Sequence, residues 1–128
     1  MNGLLYVALG GAFGASGRYG LGLWIDRVSG SDFPYGTMSA NILGSFAMGL
    51  LVAWLALKGA GSESARLFIG VGLLGGFTTF SSFSLDAINL VRDKGISPFL
   101  TYVLSSVVIS LLAIAVGLWL GRKAFGAG

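Results

Sequence analysis

The charged residues of this 128-residue chain stand at Arg18, Asp26, Arg27, Asp32, Lys58, Glu63, Arg66, Asp86, Arg92, Asp93, Lys94, Arg122 and Lys123, and between these clusters lie four long apolar gaps. A helix rises about 1.5 Å per residue, so about 20 apolar residues cross a hydrocarbon layer roughly 30 Å thick. The gaps read as helical spans over residues 4–24, 36–57, 67–91 and 98–121. With 55% hydrophobic residues, 10% charged residues and a mean hydropathy of +0.85, so short a chain cannot enclose its apolar side chains in a core of its own. The expectation is an all-α integral membrane protein of four transmembrane helices, forming a single domain over residues 1–128 with lipid as its solvent.

The net charge of +3 does not make a nucleic-acid footprint, because the basic residues are scattered singly at segment ends and form no polar basic face. Without cysteine or histidine, disulfides, thiolate chemistry and the usual zinc and haem ligand sets are excluded. A serine nucleophile would lack its histidine base, and no paired carboxylates share a helix face, so an enzyme is not expected. The chain opens without a basic n-region, and its first apolar run continues through glycines towards Arg18 with no convincing cleavage site, which reads as a retained span.

The connections are short and carry turn formers: Pro34 in the first, Gly59, Gly61 and Ser62 in the second, Gly95 in the third. Small residues recur at helical spacing within the spans, as Gly10 with Gly14, Ala40 with Gly44, Ser45 with Gly49, and Ala113 with Gly117 and Gly121. Such ridges let helices approach closely and are read as packing, not chemistry. Orientation follows lysine and arginine counts. Lys58, Arg66, Arg122 and Lys123 fall on one side, and Arg27, Arg92 and Lys94 on the other. This near balance permits both orientations, and two opposed copies pair naturally about a two-fold axis in the membrane plane.

The third span contains Gly75-Gly76-Phe77-Thr78-Thr79-Phe80-Ser81-Ser82-Phe83-Ser84, a composition that suits a regular helix poorly. Non-helical backbone survives in hydrocarbon only when it is buried in protein or lines an aqueous path. The expectation is a third helix broken near the bilayer midplane, around Gly75. Freed carbonyls at Gly75, Gly76 and Thr78 suit a hard cation, and a glycine kink packed on a neighbour explains the glycines equally well. Phe77, Phe80 and Phe83 recur at i and i+3, which ordinarily marks a core stripe. Here they alternate with hydroxyls at Thr78, Thr79, Ser81, Ser82 and Ser84, and a pair of ring edges carries the partial positive charge that a desolvated anion seeks.

Asn41 is the one amide side chain in the second span, and its amide offers two donors either to a neighbouring helix or to a pathway. Tyr102, Ser106 and Ser110 recur at i, i+4 and i+8, a hydroxyl stripe on an otherwise apolar helix. Donors without fixed charge suit an anion that must leave again. Arg18, the sole cation within an apolar run, can attract anions electrostatically; Asp86, the sole acid in one, has no assigned role.

Taken together, Gly17-Arg18, Gly36-Thr37 with Asn41, the 75–84 motif, and Tyr102 with Ser106 and Ser110 closely resemble the Fluc/CrcB fluoride channels across all four spans. The resemblance implies an antiparallel, dual-topology homodimer in the cell's inner (plasma) membrane, which passively exports cytoplasmic fluoride through two pores lined by both subunits. It implies a pore lined by Asn41, Phe80, Phe83, Ser81, Ser82, Tyr102, Ser106 and Ser110, with Arg18 in the vestibule. It further implies a structural sodium ion at the dimer centre, held by the main-chain carbonyls of Gly75 and Thr78 of each subunit. The alternative is a small multidrug-type proton-coupled exporter, which shares the size and the four spans. That alternative needs a deep carboxylate, usually in the first span, and the first span here has none. A non-transporting assembly subunit held by glycine packing would leave Asn41 and the hydroxyl stripe unexplained.

Overall fold

Glycines and hydroxyls decide where the helices of this chain start, stop and meet. A computed structural model describes residues 2–58 and 63–126, all of whose regular elements are helical. Helix α1 (Gly3–Ser29) ends at Gly30, whose φ of 61° turns the chain left-handed so that its N–H reaches Asp26 O at 3.1 Å. Helix α2 (Tyr35–Lys58) follows after Pro34. Beyond it, Gly59, Gly61 and Ser62 of the expected second connection lie outside the described residues.

The next stretch begins with a short turn, α3 (Glu63–Ala65), and widens into a π-helix over Arg66–Leu74 before a single turn of α4 (Gly75–Phe77). Residues 78–80 are not helical, and helix α5 (Ser81–Asp93) resumes the path. A two-residue turn at Lys94 and Gly95 leads into α6 (Ile96–Gly126). Gly95 has φ 101° and donates to Leu90 O at 3.1 Å.

Two packed pairs organise these helices. Helix α2 lies along α6, where a Cβ on Gly49 would come within 2.7 Å of Leu118 N and one on Gly117 within 3.2 Å of Gly49 Cα. Helix α1 lies along the π-helix and α4, where Gly10, Gly14, Gly72 and Gly76 bring main chain against main chain. Close approach of this kind is how helices associate in lipid, where burying apolar surface against a neighbour brings no hydrophobic gain. The buried set is accordingly thin: Ala40, Leu51, Ala53, Leu74, Ala87, Leu90 and Tyr102. Large residues such as Phe13, Leu111 and Trp119 point outward, the arrangement a lipid solvent allows.

Three stretches among the described residues are long and apolar enough to cross a membrane: Tyr35–Leu57, Glu63–Asp93 and Ile96–Gly126. The chain is therefore an all-helical, multi-pass membrane protein. The 27 residues of α1 reach about 40 Å. Its glycines and Arg18 make it less apolar than the other three.

Candidate functional site

The interruption does not fall at the glycines. Gly75 is helical, with φ −63° and ψ −37°, and the chain turns extended at Thr78, with φ −87° and ψ 162°. Gly76 answers a packing need, since a Cβ there would lie 2.9 Å from Gly11 O. What unwinds the chain is competition for its backbone by side-chain oxygens. Asn41 on α2 pairs with Thr79 as one amide pairs with another: Nδ2 donates to Thr79 O at 3.0 Å, and Oδ1 accepts Thr79 N–H at 2.7 Å. Thr79 Oγ1 accepts Ser82 N–H at 3.0 Å, and Thr78 Oγ1 donates back to Leu74 O at 3.0 Å.

In a continued α-helix, Thr79 N–H would serve Gly75 O and Ser82 N–H would serve Thr78 O. Both donors go instead to side-chain oxygens, which releases those two carbonyls. Arg18 Nε–H donates to one of the two carbonyls between them, Gly76 O, at 3.3 Å. Among the described residues no three acidic side chains gather, so a cation site here would be built from main-chain oxygens. Gly75 and Thr78 fit that role because they have lost their helical donors.

An open cavity of about 450 Å³ lies beside the interruption and is bordered by Asn41, Gly75, Thr78, Phe80, Phe83, Ser106 and Ser110 together with six further residues. Phe80 and Phe83 stand 5.8 Å apart between ring centroids, tilted by 48°. Phe80 is 78% exposed, whereas Phe83 packs into the cluster around Tyr102. In the same lining the hydroxyls of Ser106 and Ser110 are buried and have no hydrogen-bond partner. An unpaired buried hydroxyl costs about 1–3 kcal/mol, so this pair is poised to donate to a ligand. Asn41 keeps one amide hydrogen beyond its bond to Thr79. None of the bordering residues carries a charge.

Other residues of the expected set stand apart from the cavity. Tyr102 is fully buried, and its ring packs on Phe83 at 5.2 Å and edge-on to Phe33 at 5.5 Å. Its hydroxyl donates to Asp86 Oδ2 at 3.3 Å, which gives the acid a partner that sequence reasoning did not supply. Ser81 is exposed and faces Thr79 Oγ1 at 3.4 Å, while Ser82 contributes its N–H to the interruption. Arg18 does not border the cavity. Residues that the sequence did not single out for the site do border it: Ser45, Met48, Thr79, Val107 and Ile114, with Gly44. Ser45 lies one turn beyond Asn41, and that i+4 spacing was the available signal.

The family model described as "CrcB-like protein, Camphor Resistance (CrcB)" matches residues 5–118. A relative from Hyphomonas neptunium, named "Fluoride-specific ion channel FluC", is 50% identical over 126 residues, covering 98% of this chain and 99% of the relative. Proteins of the same name from Caulobacter vibrioides and Agrobacterium fabrum are similar to this chain at 46% over 126 residues and 47% over 125. Each alignment covers 98% of this chain, with 99% of the Caulobacter protein and 100% of the Agrobacterium protein. With motifs, fold and near full-length identity in agreement, this chain belongs to the CrcB family.

Proposed function

We propose that this chain is a fluoride-selective channel that lets cytoplasmic fluoride leave passively across the inner (plasma) membrane. The observation that carries the reading is the cavity whose lining two buried, unpartnered serine hydroxyls share with Phe80 and Phe83. Fluoride is a compact anion that gives up its water reluctantly. Ser106, Ser110 and the spare Asn41 hydrogen would replace part of that water as donors, and the positive ring edges of Phe80 and Phe83 would complete the shell. A lining without fixed charge holds such an anion weakly enough for it to move on. The name shared by the relatives points the same way.

The working unit of this proposal is an antiparallel homodimer in which α1 supplies the fourth span of each copy and the interruption sits near the midplane. Support comes from the open cavity and from the exposure of Phe80, which together leave the pore wall to be completed by a second copy. Two such copies form two pores. The released Gly75 and Thr78 carbonyls of both copies would hold a sodium ion on the dimer axis, and the bound ion would neutralise carbonyl dipoles that face one another. Tyr102, with its hydroxyl committed to Asp86, shapes the pore by holding the Phe83 ring; Ser81 and Ser82 shape it by securing the interruption.

The test is anion efflux from liposomes holding the purified chain, with fluoride and chloride recorded separately under a potassium-clamped voltage. Fluoride loss without chloride loss is expected. Fluoride retention by verified, folded protein would overturn the proposal and direct attention to Asp86 and proton-coupled export.

A further inference from the structure

Arg18 reads from sequence as an electrostatic lure for anions, yet its placement suits a different task. Gly10, Gly14 and Arg18 recur at every fourth position and share one face of α1. The first two lie directly on the main chain that leads to the interruption: a Cβ on Gly10 would sit 2.8 Å from Leu73 N, and one on Gly14 would sit 2.9 Å from Phe77 N. Arg18 extends that ridge by one turn, is partly buried, and gives its Nε–H to Gly76 O at 3.3 Å. In a continued helix that carbonyl would receive Phe80 N–H.

We propose that Arg18 is a positioning residue whose Nε–H, rather than its charge, is what the site requires. Asn41 grips Thr79 from α2 and Arg18 grips Gly76 from α1, so the interruption is clamped from two sides. The clamp commits Gly76 O to α1 and leaves Gly75 and Thr78 among the carbonyls available to a cation. This inference rests on the channel reading for its consequence but not for its geometry.

Two substitutions separate the bond from the charge. In Arg18→Gln the amide nitrogen is the same number of bonds from the backbone as arginine Nε, so the donor remains and the charge goes. In Arg18→Lys the charge remains, but a methylene occupies the Nε position and the ammonium lies one bond further out. A hydrogen bond of this kind, charged or neutral, is worth up to about a factor of ten in an equilibrium. Fluoride efflux by R18Q is therefore expected within about twofold of the unsubstituted chain, and that of R18K about tenfold lower. The reverse order would overturn the proposal in favour of charge, and equal effects of both substitutions, large or small, would also overturn it. Melting of the purified proteins in detergent gives a readout independent of transport, with R18Q expected to melt with the parent and R18K a few degrees below it. A parent chain that retains fluoride would refute the channel reading while the melting order still decides the clamp. An R18Q protein that fails to fold where R18K folds would overturn the clamp directly.

Discussion

Replacing Asn41 with alanine probes the interruption at its strongest contact. The amide makes two bonds to one residue, at 3.0 Å to Thr79 O and 2.7 Å to Thr79 N. Left without partners in a part-buried site, the two Thr79 groups would each cost about 1–3 kcal/mol, or about 2–6 kcal/mol together. The chain has a way to reduce that cost: Thr79 N–H can return to Gly75 O and extend α4, leaving Thr79 O unsatisfied. The expected net loss is then about 1–3 kcal/mol, which at roughly 4 °C per kcal/mol lowers the melting temperature by about 4–12 °C. Trp24, Trp54 and Trp119 report the unfolding by fluorescence. That return also re-engages the Gly75 carbonyl, so fluoride efflux should fall in parallel with sodium retention by the purified protein. An N41A protein that melts and conducts like its parent would refute the claim that Asn41 holds the interruption open.

Ser106→Ala and Ser110→Ala should leave the melting temperature unchanged or raise it, because neither hydroxyl has a partner to lose, while fluoride efflux declines; a clear drop in stability would mean that the hydroxyls are bonded. Phe80→Ile and Phe83→Ile keep bulk but remove the ring edge, and undiminished fluoride flux in both would sink the aromatic-edge mechanism. Of the two, F80I should leave the stability of an isolated chain nearly untouched, since Phe80 is 78% exposed, whereas F83I disturbs the packing on Tyr102. Gly49→Ala forces a methyl against the α6 backbone and should cost about 1–3 kcal/mol in a thermal melt, whereas Gly20→Ala, with open space around it, should be neutral or slightly stabilising.

Periodicity and composition made much of this protein legible. Charge spacing located three apolar stretches that the fold contains, and the small-residue ridges marked the faces where α2 meets α6 and α1 meets the π-helix. The same 3.6-residue repeat set Ser106 and Ser110 on one face of α6, where both border the cavity. The motifs also sufficed to recognise the family, since the residue types that unwind a helix and line an uncharged cavity are uncommon in combination.

Other features depended on residues far apart in the chain. The position of the interruption was one of them: the glycines pointed to Gly75, but Gly75 and Gly76 stay helical, and the unwinding follows from an Asn41 amide that lies 38 residues from Thr79. Arg18 was another, because the carbonyl it meets is 58 residues away and its local sequence offers only a charge in an apolar run. Asp86 lacked a role until α6 brought the Tyr102 hydroxyl to it. The sequence alone determined where this chain prefers lipid and which helix faces are smooth enough to touch, because both are set by residues within a few turns of one another. Tertiary structure decided which backbone groups are released and which are capped, because the groups that compete for them, the Asn41 amide on α2 and the Arg18 guanidinium on α1, arrive from helices distant in sequence.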